Sequence, residues 1–317
     1  MRTTFINALL DCAAADGRIW LLCGDLGFGV LEPFQQRFPD RFINVGVAEQ
    51  NMMGIAAGLA LCGRKVVCYS IGNFNTRRCY EQIRNDVCYH NGDVKIVSVG
   101  GGLAYGGHGY THHAVEDLAA LRALPNMAVL SPGDPAEVLF LTRWMMGHDG
   151  PCYLRLGKTG EPKLHPADWK PVAGKMMQLQ DGSDLLLLST GGMLATALDV
   201  AKALAATGVS VGVASCPFLK PLDEDFIASA AKRWAWLVTL EEHSLYGGLA
   251  DAVGRVLATL PAPRARLLPF GVPELALKGI AGTQQELLRR VGLDPATLTA
   301  AISVKTSATT AALKGSA

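Results

Sequence analysis

Short apolar runs suited to β-strands alternate with helix-type segments along almost the whole chain, and no tight hairpin signal interrupts them. Strand-like runs stand at residues 19–23, 42–45, 65–70, 94–99, 127–130 and 152–156. Helical spacing fills the gaps at 3–15, 48–61, 78–89, 114–124 and 134–146. This alternation predicts an α/β fold with a doubly wound, mostly parallel sheet covered by helices on both faces. The pattern repeats later, with strands at 184–189, 209–215, 236–240 and 266–268 and helices at 194–206, 223–231 and 249–260. A polar stretch at 157–180, carrying Gly157, Gly160, Pro162, Pro166 and Pro171, separates the two halves. A chain of 317 residues exceeds one ordinary core. The expected organisation is therefore a first domain at 1–160, a linker at 161–180, a smaller α/β domain at 181–304 and a mobile tail at 305–317, where residues are small and polar.

Composition narrows the function classes. Half the residues are hydrophobic and 18% are charged, enough for buried cores and contrary to disorder. The formal net charge of +1 leaves no electrostatic footprint for nucleic acid or a membrane surface. The N-terminus has no signal-peptide pattern and no apolar run reaches a membrane span, so a cytoplasmic location is expected. Eight scattered cysteines include no C-x-x-C pair and read as buried free thiols of a reducing compartment.

Ligands of parallel sheets sit at the carboxyl ends of strands. Four features follow such ends here: Asp25 in a glycine-rich turn (Gly24-Asp25-Leu-Gly27-Phe-Gly29), Glu49, Phe74, and a loop at 100–113 with six glycines and three histidines. The turn is neither a P-loop nor a G-x-G-x-x-G fingerprint. His108, His112 and His113 have no Cys or carboxylate at zinc spacing, so no metal site is predicted. The Gly208-Val-Ser210-Val-Gly212 run falls inside a predicted strand and does not form a nucleophile elbow. A loop histidine suits general acid–base work or a surface hydrogen bond equally. Glu49 opens a long apolar helix. It reads either as an ordinary first-turn acid, favoured by the helix dipole, or as an acid that apolar neighbours keep protonated.

Several motifs together resemble the pyrimidine-binding domain of transketolase-type thiamin diphosphate enzymes. They are Gly46-Val-Ala-Glu49-Gln-Asn-Met52, Phe74 through Tyr80-Glu81-Gln82-Ile83-Arg84, Tyr110-Thr-His112-His113-Ala-Val-Glu116-Asp117, and Pro125-Asn-Met127. Glu241-Glu242-His243-Ser244, Gly247-Gly248-Leu249 and Pro269-Phe-Gly-Val-Pro273 resemble the same family's C-terminal domain. The likeness spans residues 3–303 and is nearest to the C-terminal half found in split, two-subunit transketolases. It implies that Glu49 activates the cofactor through its aminopyrimidine ring, that Phe74 stacks on that ring, and that Arg78 and Asp25 lie beside the cofactor. It further implies that His112 faces the reacting carbons and that His108 and Arg155 contact substrate, Arg155 through a phosphate.

Departures from the family pattern bear on the substrate. His108 stands where many relatives have an acid, Gly29 where some have a phosphate-binding serine, and Gly100 where some have a further histidine. A specialised ketol transfer is thus as open as the pentose phosphate reaction. The family's Gly-Asp-Gly run, which holds diphosphate through Mg²⁺ or Ca²⁺ on a separate domain, is absent from the sequence. The resemblance therefore implies thiamin diphosphate shared with an N-terminal subunit in an α2β2 heterotetramer, the metal being held by that partner. Two alternatives stand beside a transketolase subunit. One is a thiamin enzyme using pyruvate or another 2-oxo acid, such as a deoxyxylulose phosphate synthase or a dehydrogenase β subunit. The other is a non-catalytic relic of the fold.

Overall fold

Runs such as Leu185 to Leu188 carry apolar side chains on both faces, so they are stable only as strands covered from both sides. The computed structural model describes residues 1–314 apart from Thr159, Pro263 and Leu275, with side chains as far as Thr306. The strands are β1 (Ile19–Cys23), β2 (Phe42–Asn44), β3 (Lys65–Ile71), β4 (Val94–Val99), β5 (Ala128–Leu130) and β6 (Cys152–Leu156), then β7 (Met177–Gln180), β8 (Leu185–Ser189), β9 (Val211–Ser215), β10 (Phe218–Lys220), β11 (Trp236–Ser244) and β12 (Arg266–Val272). Among the described residues they form two sheets, ordered β10-β5-β6-β4-β3-β1-β2 and β12-β11-β8-β9-β7. Every pairing is parallel except β10 with β5 and β7 with β9. This is the expected α/β class, two doubly wound and mostly parallel sheets.

The helices are α1 (Arg2–Ala15), α2 (Glu32–Arg37), α3 (Glu49–Leu61), α4 (Phe74–Arg77), α5 (Tyr80–Gln82), α6 (Asp117–Arg122) and α7 (Pro135–Gly147), followed by α8 (Met193–Ala205), α9 (Glu224–Arg233), α10 (Leu249–Thr259), α11 (Gln284–Arg290) and α12 (Pro295–Lys314). On the first sheet, α1 and α7 cover one face with Phe5, Leu9, Leu141 and Met145, and α3 with the π-helical turn Ile83–Cys88 covers the other with Met52, Ala56, Ile83 and Val87. In α8, Met193, Leu194, Ala197, Val200, Ala201 and Leu204 recur at helical spacing and are buried.

Three details differ from the sequence expectations. The stretch ending at Gln180 is not all linker, because β7 joins the second sheet and Asp134 Oδ2 accepts the Leu164 and His165 amides at 2.8 and 3.0 Å. The backbone stays helical to Lys314 where a tail from Lys305 was expected, since no glycine or proline breaks the Ala-rich run between 296 and 314; the end of that expected tail, 315–317, lies outside the described residues. All eight cysteines are free thiols and six are buried, but Cys12 is half-buried and Cys62 exposed.

Candidate active site

The turn from β2 into α3 sets the position of Glu49. Gly46 takes φ +73°, a left-handed conformation that favours glycine, and the Ala48 amide donates to Gly46 O at 2.8 Å. Glu49 then occupies the first helical position with its side chain only 3% exposed. Met52, Met53, Ala56 and Ala57 continue the same buried stripe. Gly24, at the end of β1, lets the backbone pass close by: a Cβ there would lie 3.8 Å from Glu49 Oε1. That oxygen is buried and has no hydrogen-bond partner among the described residues. A buried acceptor without a donor is costly, and such groups mark places completed by something else.

The other carboxylate oxygen, Oε2, accepts from Arg78 Nη1 at 3.2 Å, and the same guanidinium lies 4.1 Å over the Phe74 ring. Phe74 begins α4 and meets the His112 ring edge-on at 5.1 Å. His112 lies 4.8 Å from His108 and its Nδ1 is 3.0 Å from Thr111 Oγ1. Glu49, Arg78, Phe74, His112 and His108 thus form one continuous chain of contacts across three strand ends. Burial, followed by the neighbouring His108, His113 and Arg78, holds the His112 pKa below the ordinary 6.5. A cavity of about 520 Å3 opens beside Glu49, Gln50, Asn51 and Arg78.

Two residues singled out from sequence sit differently. Asp25 is exposed, adopts φ +55°, and is paired reciprocally with Asn44: its amide donates to Asn44 Oδ1 and its Oδ1 accepts from Asn44 Nδ2, both at 3.0 Å. It adjoins the cluster through Gly24 but does not touch it. Arg155 is not gathered with the others. It is 5% exposed, its Nε donates to Asp117 Oδ2 at 2.9 Å, and its Nη2 donates to Ala114 O and Glu242 O. It therefore ties β6 and α6 to β11 across the seam between the sheets. The three histidines also divide, because His113 is buried with neither ring nitrogen partnered among the described residues, and it lines a separate cavity of about 740 Å3 with Tyr110 and Tyr246.

Sequence reasoning passed over Asn73. Its buried amide donates to Thr111 O at 3.1 Å and His113 O at 2.6 Å, fixing the histidine loop to the turn that presents Phe74. The only signal was an asparagine beside a glycine at a strand end. The Glu241-Glu242-His243 run turns out to stitch elements together. Glu241 accepts the Leu249 and Ala250 amides at the start of α10, and burial pushes its pKa up to about 7. Glu242 accepts Leu103 N at 2.7 Å from the other sheet's loop, and His243 Nε2 accepts Ala119 N at 3.3 Å.

Residues 1–161 match the family described as the transketolase pyrimidine binding domain, and residues 174–298 match the transketolase C-terminal domain. The chain belongs to the transketolase family. It is 34% identical to one of the subunits of the apulose-4-phosphate transketolase of Phocaeicola vulgatus over 295 residues, 92% of this chain and 93% of that relative. It is 40% identical over 303 residues to the 1-deoxy-D-xylulose-5-phosphate synthase of Azoarcus sp., covering 94% of this chain but 47% of that one. Among solved structures, a split gene transketolase described as an inactive beta4 tetramer superposes with a TM-score of 0.85 at 34% identity, covering 96% of this chain and 97% of that one. As a transketolase-family chain it thus has the extent of the split subunits. Among its described residues no helix is long and apolar enough to cross a membrane, and no group of three or more His, Cys, Asp or Glu side chains could hold a metal.

Proposed function

We propose that this chain is one subunit of a two-component transketolase, which moves a two-carbon ketol unit from a ketose phosphate to an aldehyde. The observation that carries the reading is the buried, unpartnered Glu49 Oε1 beside the Phe74–His112 pair. An orphaned acid oxygen and an aromatic face fit the aminopyrimidine half of thiamin diphosphate. When bound, that cofactor supplies carbanion chemistry, and the protein supplies orientation and proton handling. Glu49 holds a proton at Oε1 for a ring nitrogen. Phe74 offers its face for stacking, and Arg78, bonded to Glu49 Oε2 and lying over that face, competes with a stacked ring for the face while leaving Oε1 free. His112, kept neutral, takes a proton from a donor hydroxyl, and His108 beside it contacts substrate.

The missing Gly-Asp-Gly run, and the extent shared with the apulose-4-phosphate transketolase relative, support a partner that carries the diphosphate and its Mg²⁺. Phe28, Val47 and Tyr110 are 76, 71 and 60% exposed on this side of the sheet, apolar surface of the kind a subunit interface buries. Titration of the isolated chain with thiamin diphosphate and Mg²⁺ should give no tight binding, and tight metal-dependent binding without a partner overturns the split-site reading. The 40% identity to a deoxyxylulose phosphate synthase favours a second reading, use of pyruvate. A coupled assay of the reconstituted pair separates the two: ketose phosphate cleavage without CO2 supports ketol transfer, and CO2 release from pyruvate supports the alternative.

The lowered His112 pKa sets the acid side of the pH profile. A histidine required neutral loses function as pH falls through its folded pKa, so the limb of kcat/KM should lie below pH 6.5. Arg78→Gln removes one of the neighbouring cations and should move that limb upward. A limb above 6.5 in the unsubstituted enzyme contradicts the assignment.

A further inference from the structure

One buried side chain holds the backbone on both sides of His112. Asn73 is 8% exposed and stands at the N-cap of α4. An asparagine there ordinarily turns its side-chain oxygen onto a free amide of the helix, but Asn73 makes no capping bond. Its amide crosses to the histidine loop instead. Nδ2 donates to Thr111 O at 3.1 Å and to His113 O at 2.6 Å. These are the carbonyls of the residues immediately before and after His112. Both are acceptors, so only the NH2 end of the amide can face them, and both its protons are used. Asn73 Oδ1 is left buried without a partner among the described residues, a cost that an apolar residue of similar size would avoid.

Beyond His113 the loop is anchored independently, because Ala114 and Gly102 exchange two backbone bonds at 2.8 and 2.9 Å. Before it, Tyr110 to His112 form a single 3-10 turn, closed by the His112 and His113 amides on Gly109 O and Tyr110 O. Among the described residues no side chain other than Asn73 bonds the backbone of residues 110–113. Thr111 carries this hold to the ring, since its Oγ1 lies 3.0 Å from His112 Nδ1. With the proton on Nδ1 and donated to Thr111 Oγ1, the neutral ring presents its lone pair at Nε2. A base is thus oriented by a second group, which a third group orients in turn.

We propose that Asn73 is a positioning residue: by holding the carbonyls on both sides of His112 it keeps Thr111 Oγ1 on Nδ1, and so fixes the direction of the ring and the nitrogen that carries its proton. Nε2 is then the atom that takes a proton from a donor hydroxyl. The inference rests on His112 as the base of the proposed ketol transfer, but its first test does not require the reaction.

Nitrogen NMR of the full-length chain, labelled on histidine, reads the tautomer and the pKa of each ring, and His112→Gln identifies the His112 signals. The unsubstituted chain should show neutral His112 protonated at Nδ1. Asn73→Ala removes both donors and Thr111→Val removes the acceptor at Nδ1 with little change in volume. Each should shift the neutral ring towards the Nε2–H form that a free histidine favours. Asn73→Ala should also raise the His112 pKa towards the ordinary 6.5, because a loosened loop exposes the ring and burial is the first cause of its lowering. The groups that face the ring, His108, His113, Arg78 and Tyr105, are unaltered in that variant. Asn73→Asp keeps the shape and removes both donors, so the tautomer can still be read if Asn73→Ala does not fold. In the reconstituted pair, Asn73→Ala should lower kcat by on the order of 10²-fold with KM little changed, as expected for a misplaced proton acceptor. An Nε2–H ring in the unsubstituted chain, a tautomer that Asn73→Ala and Asn73→Asp both leave in place, or an unchanged kcat overturns the proposal. A tautomer shift beside an unsubstituted pair that transfers no ketol unit supports the hold of Asn73 on His112 and removes the reading of the reaction.

Discussion

Glu49→Gln, reconstituted with its partner subunit, should lose ketol transfer by on the order of 10²–10⁴-fold, the range of a removed acid–base group. The amide is nearly isosteric and keeps an oxygen for Arg78, so the fold and the Phe74–Arg78 contact should survive. Burial explains the size of the effect. At 3% exposure the carboxyl group is shielded from bulk solvent, which cannot readily stand in for the lost proton carrier. Circular dichroism and the thermal midpoint should be unchanged while turnover falls. A variant that turns over normally removes the mechanism proposed for this site.

The second large effect is on stability. Arg155 and Asp117 are 5 and 0% exposed and bonded at 2.9 Å, and Tyr153 adds its hydroxyl to the same carboxylate at 2.5 Å. Removing one member of such a pair leaves the other charge buried, at a cost of about 3–5 kcal/mol. Arg155→Met should therefore lower the urea midpoint strongly, because it also releases the contacts to Ala114 O and Glu242 O that hold the second sheet. The resemblance assigned Arg155 to a substrate phosphate. That role adds a raised KM for a phosphorylated donor to the stability loss, so KM in the reconstituted pair, read beside the unfolding curve, separates a purely structural arginine from one that also holds substrate.

Legibility in the sequence followed how local each signal was. Central parallel strands such as β4 and β8 were visible because both faces are buried and their residues are mostly apolar. The two antiparallel strands, β7 and β10, were not. They span four and three residues, and their pairing is decided by partners far along the chain. The helix expected at 78–89 breaks into the short α5 and a π-helical turn over Ile83–Cys88, with α4 standing before it, an arrangement that keeps Cys79, Ile83, Val87 and Cys88 buried. In the site, Glu49, Phe74, Arg78, His108 and His112 each follow a strand end, so alternation and motif together brought them into view. Asn73 and the seam formed by Arg155, Asp117 and Glu242 depend on contacts between distant segments, for which spacing along the chain carries no signal.

The most direct measurement is exchange of the thiazolium C2 proton of thiamin diphosphate, followed by quenched-flow NMR in the reconstituted complex. If Glu49 handles the proton that activates the cofactor, exchange should be fast with the unsubstituted chain and slow by about 10²–10⁴-fold with Glu49→Gln. Equal exchange rates in the two complexes would contradict the role assigned to Glu49.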